Sequence, residues 1–582
     1  MDRLLVYVRR HWATYAFGIF CTVVTTTCAN VIPLFTRDAI NAIQAGHRDA
    51  IGHYAALMTL FAVVGGVARW FSRFVIFNTG RDIEYQLRND LFAHLTTLGG
   101  DFYQRIKTGD LMSRMINDLN AVRMMVGMGV LNFSNTPLIF CYAASIMIWL
   151  SPRLTLAALG PYLILFVIMR FLTRSLMQRS LRVQQGLGAI GAKAQESLAG
   201  IHVIKAYTVE DHDASRFRAL NDEYNEHALA AARLRGAMPP MVRLTAASAT
   251  MIVLIYGGTL VMAHRITFGD LAAFLGYLAA LAWPTMSLGW MIAIYQRAKA
   301  AMKRLEEIFD AVPTETVAGG EEEIQVAGAV EWDHVSFSYF AHNGDGAARH
   351  PYALKDITVK VPAGQKLAIV GRTGAGKSTM VKLLARLIDP TEGRVLLDGR
   401  DLRDIPLGAL RKAVGLVPQE ATLFTDTLAR NVAFGRPSAA FPEIETAANI
   451  AGLAPDIAAL PHGFDTIVGE RGMALSGGQK QRVTLARLLT YQPRLVVLDD
   501  ALSSVDTETE RAMLKSLEES VKDRTTIVVA HRASTVRDAD QIIVLEDGEI
   551  AERGTHEELM ARHGIYAELF HRQLLEEELS QY

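Results

Sequence analysis

The residues best suited to chemistry lie together in one short stretch of the chain. This stretch reads Gly371-Arg372-Thr373-Gly374-Ala375-Gly376-Lys377-Ser378-Thr379. Its glycines let successive backbone N–H groups turn toward one anion, and the spacing G-x-x-x-x-G-K-S is typical of a loop that binds a polyphosphate. Lys377 is placed to reach the terminal phosphates, and the hydroxyl of Ser378 suits Mg²⁺. A glycine-rich turn that only joins two elements is the structural alternative.

The elements around this loop must be a strand and a helix for the motif to work. The apolar, β-favouring run Leu367–Val370 precedes the loop, and the helix-favouring run Met380–Leu384 follows it. This order places the phosphates at a helix N-terminus, where the partial positive charge favours anions. We therefore predict a nucleotide site that uses Mg²⁺.

Further candidate side chains stand at the C-terminal ends of short strand-like runs. They are Gln419, the adjacent acids Asp499 and Asp500, and His531. Open α/β sheets bind ligands at the carboxyl ends of their strands, so we expect these residues near the loop. Asp499 ends a fully apolar run and fits the acid that holds the metal ion in a phosphoryl-transfer site.

Composition separates the chain into a membrane half and a soluble half. Half of the 582 residues are hydrophobic and the formal net charge is −1. The apolar excess lies in the first half, and the near-zero charge gives no indication of a nucleic-acid surface. The cysteines Cys21, Cys28 and Cys141 all lie in apolar runs. We predict that they are small buried hydrophobes and form neither disulfides nor a metal site.

Six apolar runs in the first half are interpreted as transmembrane helices, because a helix needs about 20 apolar residues to cross the hydrocarbon core. The predicted spans are Thr14–Thr36, Tyr54–Thr79, Met124–Ser151, Leu154–Met169, Leu244–Ala263 and Leu271–Gln296. A signal peptide is the alternative for the first run, but no convincing small-residue cleavage site follows it.

Two long polar connections, Gly80–Arg123 and Arg170–Arg243, carry dense Arg and Lys. The positive-inside rule places both of them in the cytoplasm, together with the N-terminus and everything after Arg297. Their apolar residues recur with helical spacing, so we expect the spans to continue as helical stalks beyond the bilayer.

Arg69 and Arg73 interrupt the second span and lie on one helix face. A charge at membrane depth is costly, so both side chains are expected to face other helices or a wet cavity. The alternative is that both arginines reach the cytoplasmic end of the span and place their charges in the interface.

The sequence therefore predicts a multi-domain protein. An all-α transmembrane domain with six helices occupies residues 1–311, a linker occupies 312–329, and an α/β nucleotide-binding domain built around the phosphate-binding loop occupies 330–582. The linker is predicted from a change to glycine and glutamate after Pro313.

A second phosphate-suited helix start completes a pattern that resembles a known family. It reads Leu475-Ser476-Gly477-Gly478-Gln479. Together with the loop, Gln419, Leu498–Asp500, Ser503–Asp506 and His531, behind six spans on one chain, it resembles half of an ATP-binding cassette (ABC) exporter. The resemblance covers nearly the whole chain. It also includes two cytoplasmic loops, around Phe102 and Ile204, that dock on the cassettes in this family.

The resemblance implies a role for each candidate residue. Tyr339 would stack on the adenine of ATP, although the insertion Phe340–Tyr352 departs from the usual length of the family. The loop amides and Lys377 would hold the phosphates, His531 would contact the γ-phosphate, and Gln419 would sense it. The implied Mg²⁺ ligands are Ser378, Gln419 and Asp499. The residues implied to cap ATP on a partner cassette are Leu475, Ser476, Gly477, Gly478, Gln479 and Asp506.

Asp500 departs from the family pattern. Competent sites of the family usually carry Glu here, which polarises the attacking water. Aspartate is one methylene shorter, and a misplacement of about 1 Å can cost about 10²-fold in rate. The change resembles the degenerate-site subunit of heterodimeric exporters, in which the intact signature completes the partner's site. A homodimer with two slow Asp sites remains the alternative, and we favour the heterodimer.

The resemblance implies an ATPase coupled to transport. It implies an integral protein of a bacterial inner membrane that pairs with a second half-transporter and exports a hydrophobic or amphipathic substrate by alternating access. Three alternatives stay open: an importer on the same fold, an ATP-gated channel or regulator, and a soluble-type nucleotidase that the spans only tether.

Overall fold

Long helices dominate the first half of the chain. A computed structural model describes residues 1–312, 325–339, 352–469, 475–501, 507–530 and 536–580. Helices α1 to α11 are Asp2–Arg10, Trp12–Gln44, Arg48–Leu95, Gly100–Arg105, Thr108–Ser113, Leu119–Met124, Val130–Leu150, Pro152–Ala199, Ile201–Ala206, Glu210–Met262 and Phe268–Phe309. Short π-helical turns, Arg114–Asp118 and Met125–Gly129, join α5, α6 and α7 into one rod.

The predicted helical stalks are confirmed. Helices α3 and α8 have 48 residues each and α10 has 53, which corresponds to lengths of about 70–80 Å at 1.5 Å per residue. That is more than twice the hydrocarbon thickness of about 30 Å. Each of these helices therefore extends well beyond a membrane that it crosses.

Within the described residues, five helical stretches are long and apolar enough to cross a membrane: Trp12–Gln44, Asp49–Leu95, Thr108–Leu150, Pro152–Ala199 and Glu210–Met262. The sixth predicted span lies in α11, where a shorter apolar stretch, Phe268–Leu281, is found. Prolines inside α2, α7, α8, α10 and α11 are accommodated without ending these helices.

Small and hydroxyl-bearing residues let the membrane helices approach closely. A Cβ added to Gly18 of α2 would lie 2.6 Å from Ile76 of α3, and the hydroxyls of Thr22 and Ser72 are 2.6 Å apart. Tyr277 of α11 donates a hydrogen bond to the carbonyl oxygen of Asn30 at 2.6 Å. Such contacts stabilise the association of helices in the membrane, where apolar lipid provides no hydrophobic driving force for association.

The prediction for the cysteines is correct for two of the three. Cys21 and Cys28 are buried on α2, but Cys141 on α7 is exposed. An apolar run shows that a segment suits the membrane, yet it does not show which face meets other helices, because lipid is as apolar as a helix interface. Among the described residues, His, Cys, Asp and Glu side chains do not gather in any group of three or more that could hold a metal ion by themselves.

The second half of the chain is an α/β unit. Its strands β1 to β12 are Val330–Phe337, Leu354–Val361, Lys366–Gly371, Glu392–Leu397, Arg400–Asp401, Val414–Val417, Asp426–Thr427, Ile467–Val468, Leu495–Asp499, Thr525–Val529, Gln541–Glu546 and Glu549–Gly554. Its helices α12 to α20 are Lys377–Leu384, Leu407–Ala413, Leu428–Val432, Phe441–Ile450, Ala454–Ala459, Gly477–Tyr491, Thr507–Ser520, His556–Ala561 and Ile565–Ser580.

The central sheet has the strand order β12-β11-β3-β10-β9-β6. Strands β11, β3, β10, β9 and β6 run parallel, and β12 is an antiparallel edge. Strands β3, β9 and β10 are almost fully buried, which is why they read as continuous apolar runs. A second, antiparallel sheet has the order β2-β1-β4-β5. Parallel pairing brings the C-terminal ends of β3, β9 and β6 to one edge.

The contacts divide the chain into two compact units. The first comprises Met1–Thr96 and Thr108–Asp310, and the second comprises Thr97–Lys107 and Ala311–Tyr582. The segment Thr97–Lys107 contains α4 and belongs to the second unit although it lies between two membrane helices in the sequence. A Cβ on Gly100 of this segment would lie 3.0 Å from the carbonyl oxygen of Leu387.

Candidate nucleotide-binding site

The phosphate-binding loop connects the end of β3 to the start of α12. Gly371, Gly374 and Gly376 all have positive φ, of +154°, +88° and +100°. A Cβ on Gly371 would lie 2.3 Å from the carbonyl oxygen of Leu545, and one on Gly376 would lie 2.5 Å from that of Ala353. The loop therefore needs glycine at both ends, for backbone conformation and for close approach to neighbouring strands.

Lys377 is the first residue of α12 and only 6% exposed. Its Nζ donates hydrogen bonds to the carbonyl oxygens of Gly371 at 2.7 Å and Arg372 at 2.9 Å. Burial lowers the pKa of its ammonium group, and the nearby charges of Asp500 and Asp499 act in the opposite direction. The Lys377 side chain thus lies along its own loop, and its ammonium group is held where the loop would bind an anion.

Ser378 and Asp499 form the pair best suited to a metal ion. The Ser378 hydroxyl donates to Oδ1 of Asp499 at 3.0 Å. Asp499 ends β9 and is buried; this burial raises the pKa of its carboxyl group, while the Ser378 hydrogen bond lowers it. Mg²⁺ prefers oxygen ligands at about 2.0–2.1 Å, and two oxygens this close can share one octahedral ion. The residues present fit the predicted Mg²⁺ site.

Gln419 and Asp500 meet beside this pair. Gln419 follows β6, which runs parallel to β9, so the end of one strand lies next to the end of the other. Nε2 of Gln419 donates to Oδ2 of Asp500 at 3.4 Å. Asp500 has a left-handed backbone with φ +49°, and its N–H donates to the carbonyl oxygen of Val529. Aspartate tolerates this conformation better than most residues.

The aromatic candidate lies next to the loop. Tyr339 follows β1, and its hydroxyl is 3.0 Å from Oγ1 of Thr379 in α12. The ring packs edge-on against Phe337 with centroids 4.8 Å apart, and the residue remains 38% exposed. An exposed ring fixed by both contacts can present a face to a planar ligand. Of the insertion Phe340–Tyr352, only Tyr352 belongs to the described residues.

The signature segment starts α17. Ser476 caps this helix: its Oγ accepts from the N–H of Gln479, and Oε1 of Gln479 accepts from the N–H of Ser476. Leu475 is buried, whereas Ser476 and Gly477 are exposed. Capping leaves other first-turn N–H groups of the helix free to face an anion from outside. In the described residues, the side chains of Ser476 and Gln479 bond to each other's backbone and to Asp456 and not to the phosphate-binding loop.

The structure therefore brings the loop, Gln419, Asp499 and Asp500 together and places the signature on a separate helix start. Two predicted residues, Asp506 and His531, lie outside the described residues, and their roles stay predictions.

Comparisons with known proteins identify the family. The ABC transporter transmembrane region matches residues 15–285, and the ABC transporter domain matches residues 354–503. Over 581 residues the chain is 33% identical to the "Probable multidrug resistance ABC transporter ATP-binding/permease protein YheI" of Bacillus subtilis, covering 99% of this chain and 98% of that protein. The chain belongs to the ABC transporter family.

Other members of the ABC transporter family match over nearly their whole length. The chain is 33% identical over 574 residues to the "Multidrug resistance-like ATP-binding protein MdlA" of Escherichia coli, covering 98% of this chain and 96% of that protein. The solved "Structure of a bacterial Atm1-family ABC exporter with ATP bound" matches with a TM-score of 0.79 and 30% identity, covering 97% of this chain and 98% of that one. This ABC transporter therefore has the exporter architecture and is an integral membrane protein.

One residue that positions the signature of this ABC transporter is missed by sequence reasoning. Asp456 of α16 accepts from Nε2 of Gln479 at 2.9 Å, and it pairs with Arg482 at 2.7 Å. It thereby fixes the amide of the signature glutamine. Asp456 lies on another helix and in no recognisable motif, so only the folded structure reveals the contact.

Proposed function

We propose that this chain is one half of an ATP-driven exporter that works as a dimer of two membrane units and two cassettes. The observation that carries the proposal is the convergence of Lys377, Ser378 and Asp499 at the phosphate-binding loop of a chain whose other half consists of membrane helices with long stalks. The signature, with its side chains bonded locally, supports a second cassette as the source of the nucleotide that it caps.

ATP would bind with its phosphates in the loop. The loop N–H groups and the N-terminus of α12 supply hydrogen bonds, and Lys377 supplies positive charge at the terminal phosphates. Mg²⁺, when bound, neutralises the charge on the β- and γ-phosphates. Ser378, Gln419 and Asp499 are the residues that would hold it, and Tyr339 would support the adenine.

Asp500 would be the base that orients the attacking water, and it is poorly suited to this role. Its carboxylate is one methylene shorter than that of glutamate, and its Oδ2 accepts from Gln419. A stand-off of about 1 Å can lower the rate about 10²-fold. We infer a slow site here and a heterodimer in which the signature of this chain completes a faster site on the partner. A homodimer of two slow sites is the alternative.

Nucleotide binding would join the cassettes, and the stalks would then turn the membrane helices from one side of the bilayer to the other. Such a cycle needs the two states to bind nucleotide and substrate with different affinities. A hydrophobic or amphipathic substrate would leave the cytoplasm by this route. The positive-inside rule supports a cytoplasmic location of the N-terminus, the long loops and the cassette in a bacterial inner membrane.

The test is ATP-dependent accumulation of substrate in inside-out vesicles that contain the chain and its partner. Accumulation against a gradient that requires hydrolysable ATP supports an exporter. A solute that only equilibrates identifies an ATP-gated channel, which is the second candidate because Asp500 favours binding over turnover. Movement toward the cassette side would identify an importer.

A further inference from the structure

The charges within the predicted spans are strongly unbalanced. The six predicted spans contain no Asp or Glu, and their only Arg or Lys residues are Arg69 and Arg73. Both arginines lie on α3 one turn apart and therefore point to one side of the helix. The membrane part of each chain thus carries two positive charges and no negative charge to offset them.

Both arginines line one cavity between α2, α3 and α7. The cavity has a volume of about 290 Å³, and its lining includes the polar residues Thr22, Thr26, Ser72 and Asn135. Leu131 and Ile139 of α7 also line the cavity. A pocket of this kind combines a charged region with an apolar wall.

The cavity lies at membrane depth. Thr22 contacts Ser72, and Thr25 donates to the carbonyl oxygen of Gly65. Arg69 lies between Gly65 and Ser72 in α3, so it is level with Thr22–Thr25 of α2. At 1.5 Å per residue this level is about 12–17 Å from the start of the first span at Thr14. That is close to the middle of a hydrocarbon core of about 30 Å.

This position favours the first of the two interpretations of the arginines. A side chain near the end of a span can place its charge in the interface, but these two lie at mid-span, line one cavity and are exposed within the single chain. In the described part of the chain neither guanidinium forms an ion pair or a hydrogen bond. An unpaired charge at this depth is costly and marks a functional site.

We propose that this cavity binds the anionic group of an amphipathic ligand, a carboxylate or a phosphate, with Arg69 and Arg73 as its counter-ions. This proposal adds a class of substrate to the proposed transport function. Binding of the anion does not depend on that function, whereas export of the bound ligand does.

The chemistry of the lining supports an anion in particular. Guanidinium groups bind carboxylate and phosphate with paired N–H donors, and such charge-assisted bonds are among the strongest in proteins. Oδ1 of Asn135 accepts from the hydroxyl of Thr26 at 2.8 Å, which leaves the amide N–H groups to donate. The hydroxyls of Thr22 and Ser72 add further polar contacts, while Leu131 and Ile139 suit the apolar body of the ligand.

The test compares two probes that differ in charge alone. Full-length chain in a neutral maltoside detergent is titrated with pyrenebutyrate, an amphipathic carboxylate, and with pyrenebutanol, its neutral counterpart, without ATP. We expect wild type to bind pyrenebutyrate more tightly. Arg69→Gln with Arg73→Gln should weaken pyrenebutyrate binding at least about tenfold and pyrenebutanol binding less than about twofold, because one charge-assisted contact corresponds to about a tenfold change in affinity.

The control is Arg81→Gln, which removes one arginine charge from α3 outside the cavity, as each single variant does inside it, and should leave both affinities unchanged. Elution as a single species and unchanged binding of a fluorescent ATP analogue establish that each variant is folded. If the double variant is misfolded, the single variants Arg69→Gln and Arg73→Gln serve instead, and each should weaken pyrenebutyrate binding more than pyrenebutanol binding.

Competition distinguishes the two sources of such an anion. Displacement of pyrenebutyrate by phosphatidylglycerol but not by phosphatidylcholine assigns the site to a lipid headgroup, and no displacement by either lipid assigns it to a soluble amphipathic anion. Equal affinity for the charged and neutral probes, or equal loss in Arg81→Gln and in the double variant, would overturn the proposal. Because no ATP is present, failure here leaves the transport proposal untouched, and failed transport leaves this binding result untouched.

Discussion

Alanine at Gly376 is expected to disrupt the phosphate-binding loop, whereas alanine at Gly374 should have a mild effect. Both glycines have positive φ, +100° and +88°, and left-handed backbone costs an alanine about 1–2 kcal/mol. A Cβ on Gly376 would also lie 2.5 Å from the carbonyl oxygen of Ala353 and 2.7 Å from Cδ2 of Leu354, while one on Gly374 meets no atom within 4 Å.

The two contributions set the size of the difference. A backbone carbonyl cannot rotate away as a side chain can, so overpacking adds about 1–3 kcal/mol at Gly376. The expected loss of stability is then about 2–5 kcal/mol for Gly376→Ala and about 1–2 kcal/mol for Gly374→Ala. In a domain of this size 1 kcal/mol corresponds to roughly 2–4 °C in Tm. The first variant should therefore unfold roughly 2–12 °C below the second.

The assay is thermal unfolding of the full-length chain without nucleotide, followed through the transition of the cassette. Omitting nucleotide matters because either alanine could also touch a bound phosphate, and only the unliganded comparison isolates the fold. Equal transition temperatures for the two variants, or a lower one for Gly374→Ala, would show that contact with Ala353 does not govern the loop.

Three further changes test the site. Burial raises the pKa of the Asp499 carboxyl group, so folding favours its neutral form and the stability from this group is lost as pH rises through the raised pKa. Asp499→Asn should therefore raise the Tm of the Mg²⁺-free chain at neutral pH. It should also abolish the Mg²⁺ dependence of nucleotide binding, and a variant that still needs Mg²⁺ to bind nucleotide would contradict the assignment of Asp499 as a metal ligand. Asp500→Glu should raise the ATPase rate of the chain assayed without a partner about 10-fold or more if distance limits the base, and an unchanged rate in that assay argues against the limit. In a heterodimer with a fast partner site, the same change should at most about double the total rate. Asp456→Ala should lower ATP hydrolysis by the dimer without weakening nucleotide binding to the loop of its own chain, because it removes the acceptor for the amide of Gln479. Weakened binding there would point to general damage.

The parts of the fold that depend on local sequence were predictable. The loop, the ends of β6 and β9 and the long stalks follow from glycine spacing, buried apolar runs and helical periodicity, each of which acts over a few residues. Parallel pairing then brings Gln419 next to Asp500, because both follow neighbouring strands.

The parts that depend on distant contacts were not predictable. Asp456 and Gln479 are separated by 23 residues and lie on different helices, so no periodic pattern connects them. The exposure of Cys141 was also not predictable. Hydropathy indicates that a helix lies in the membrane, but it does not indicate which face of the helix contacts other helices. The depth that we infer for Arg69 similarly rests on the contacts between α2 and α3, which the sequence does not reveal.

Lys377 and Asp499 of the phosphate-binding site carry opposite charges, and burial is unfavourable for both of them. Burial lowers the pKa of Lys377 and raises that of Asp499, so each group is held where its charged form is destabilised. The phosphates of ATP would supply the counter-charge for the lysine, and Mg²⁺ would supply it for the carboxylate. Neither ligand alone relieves both groups, because phosphate without the metal ion adds negative charge beside Asp499. We therefore expect the site to favour the metal–nucleotide pair over either component, because desolvation of the two groups adds to the direct contacts.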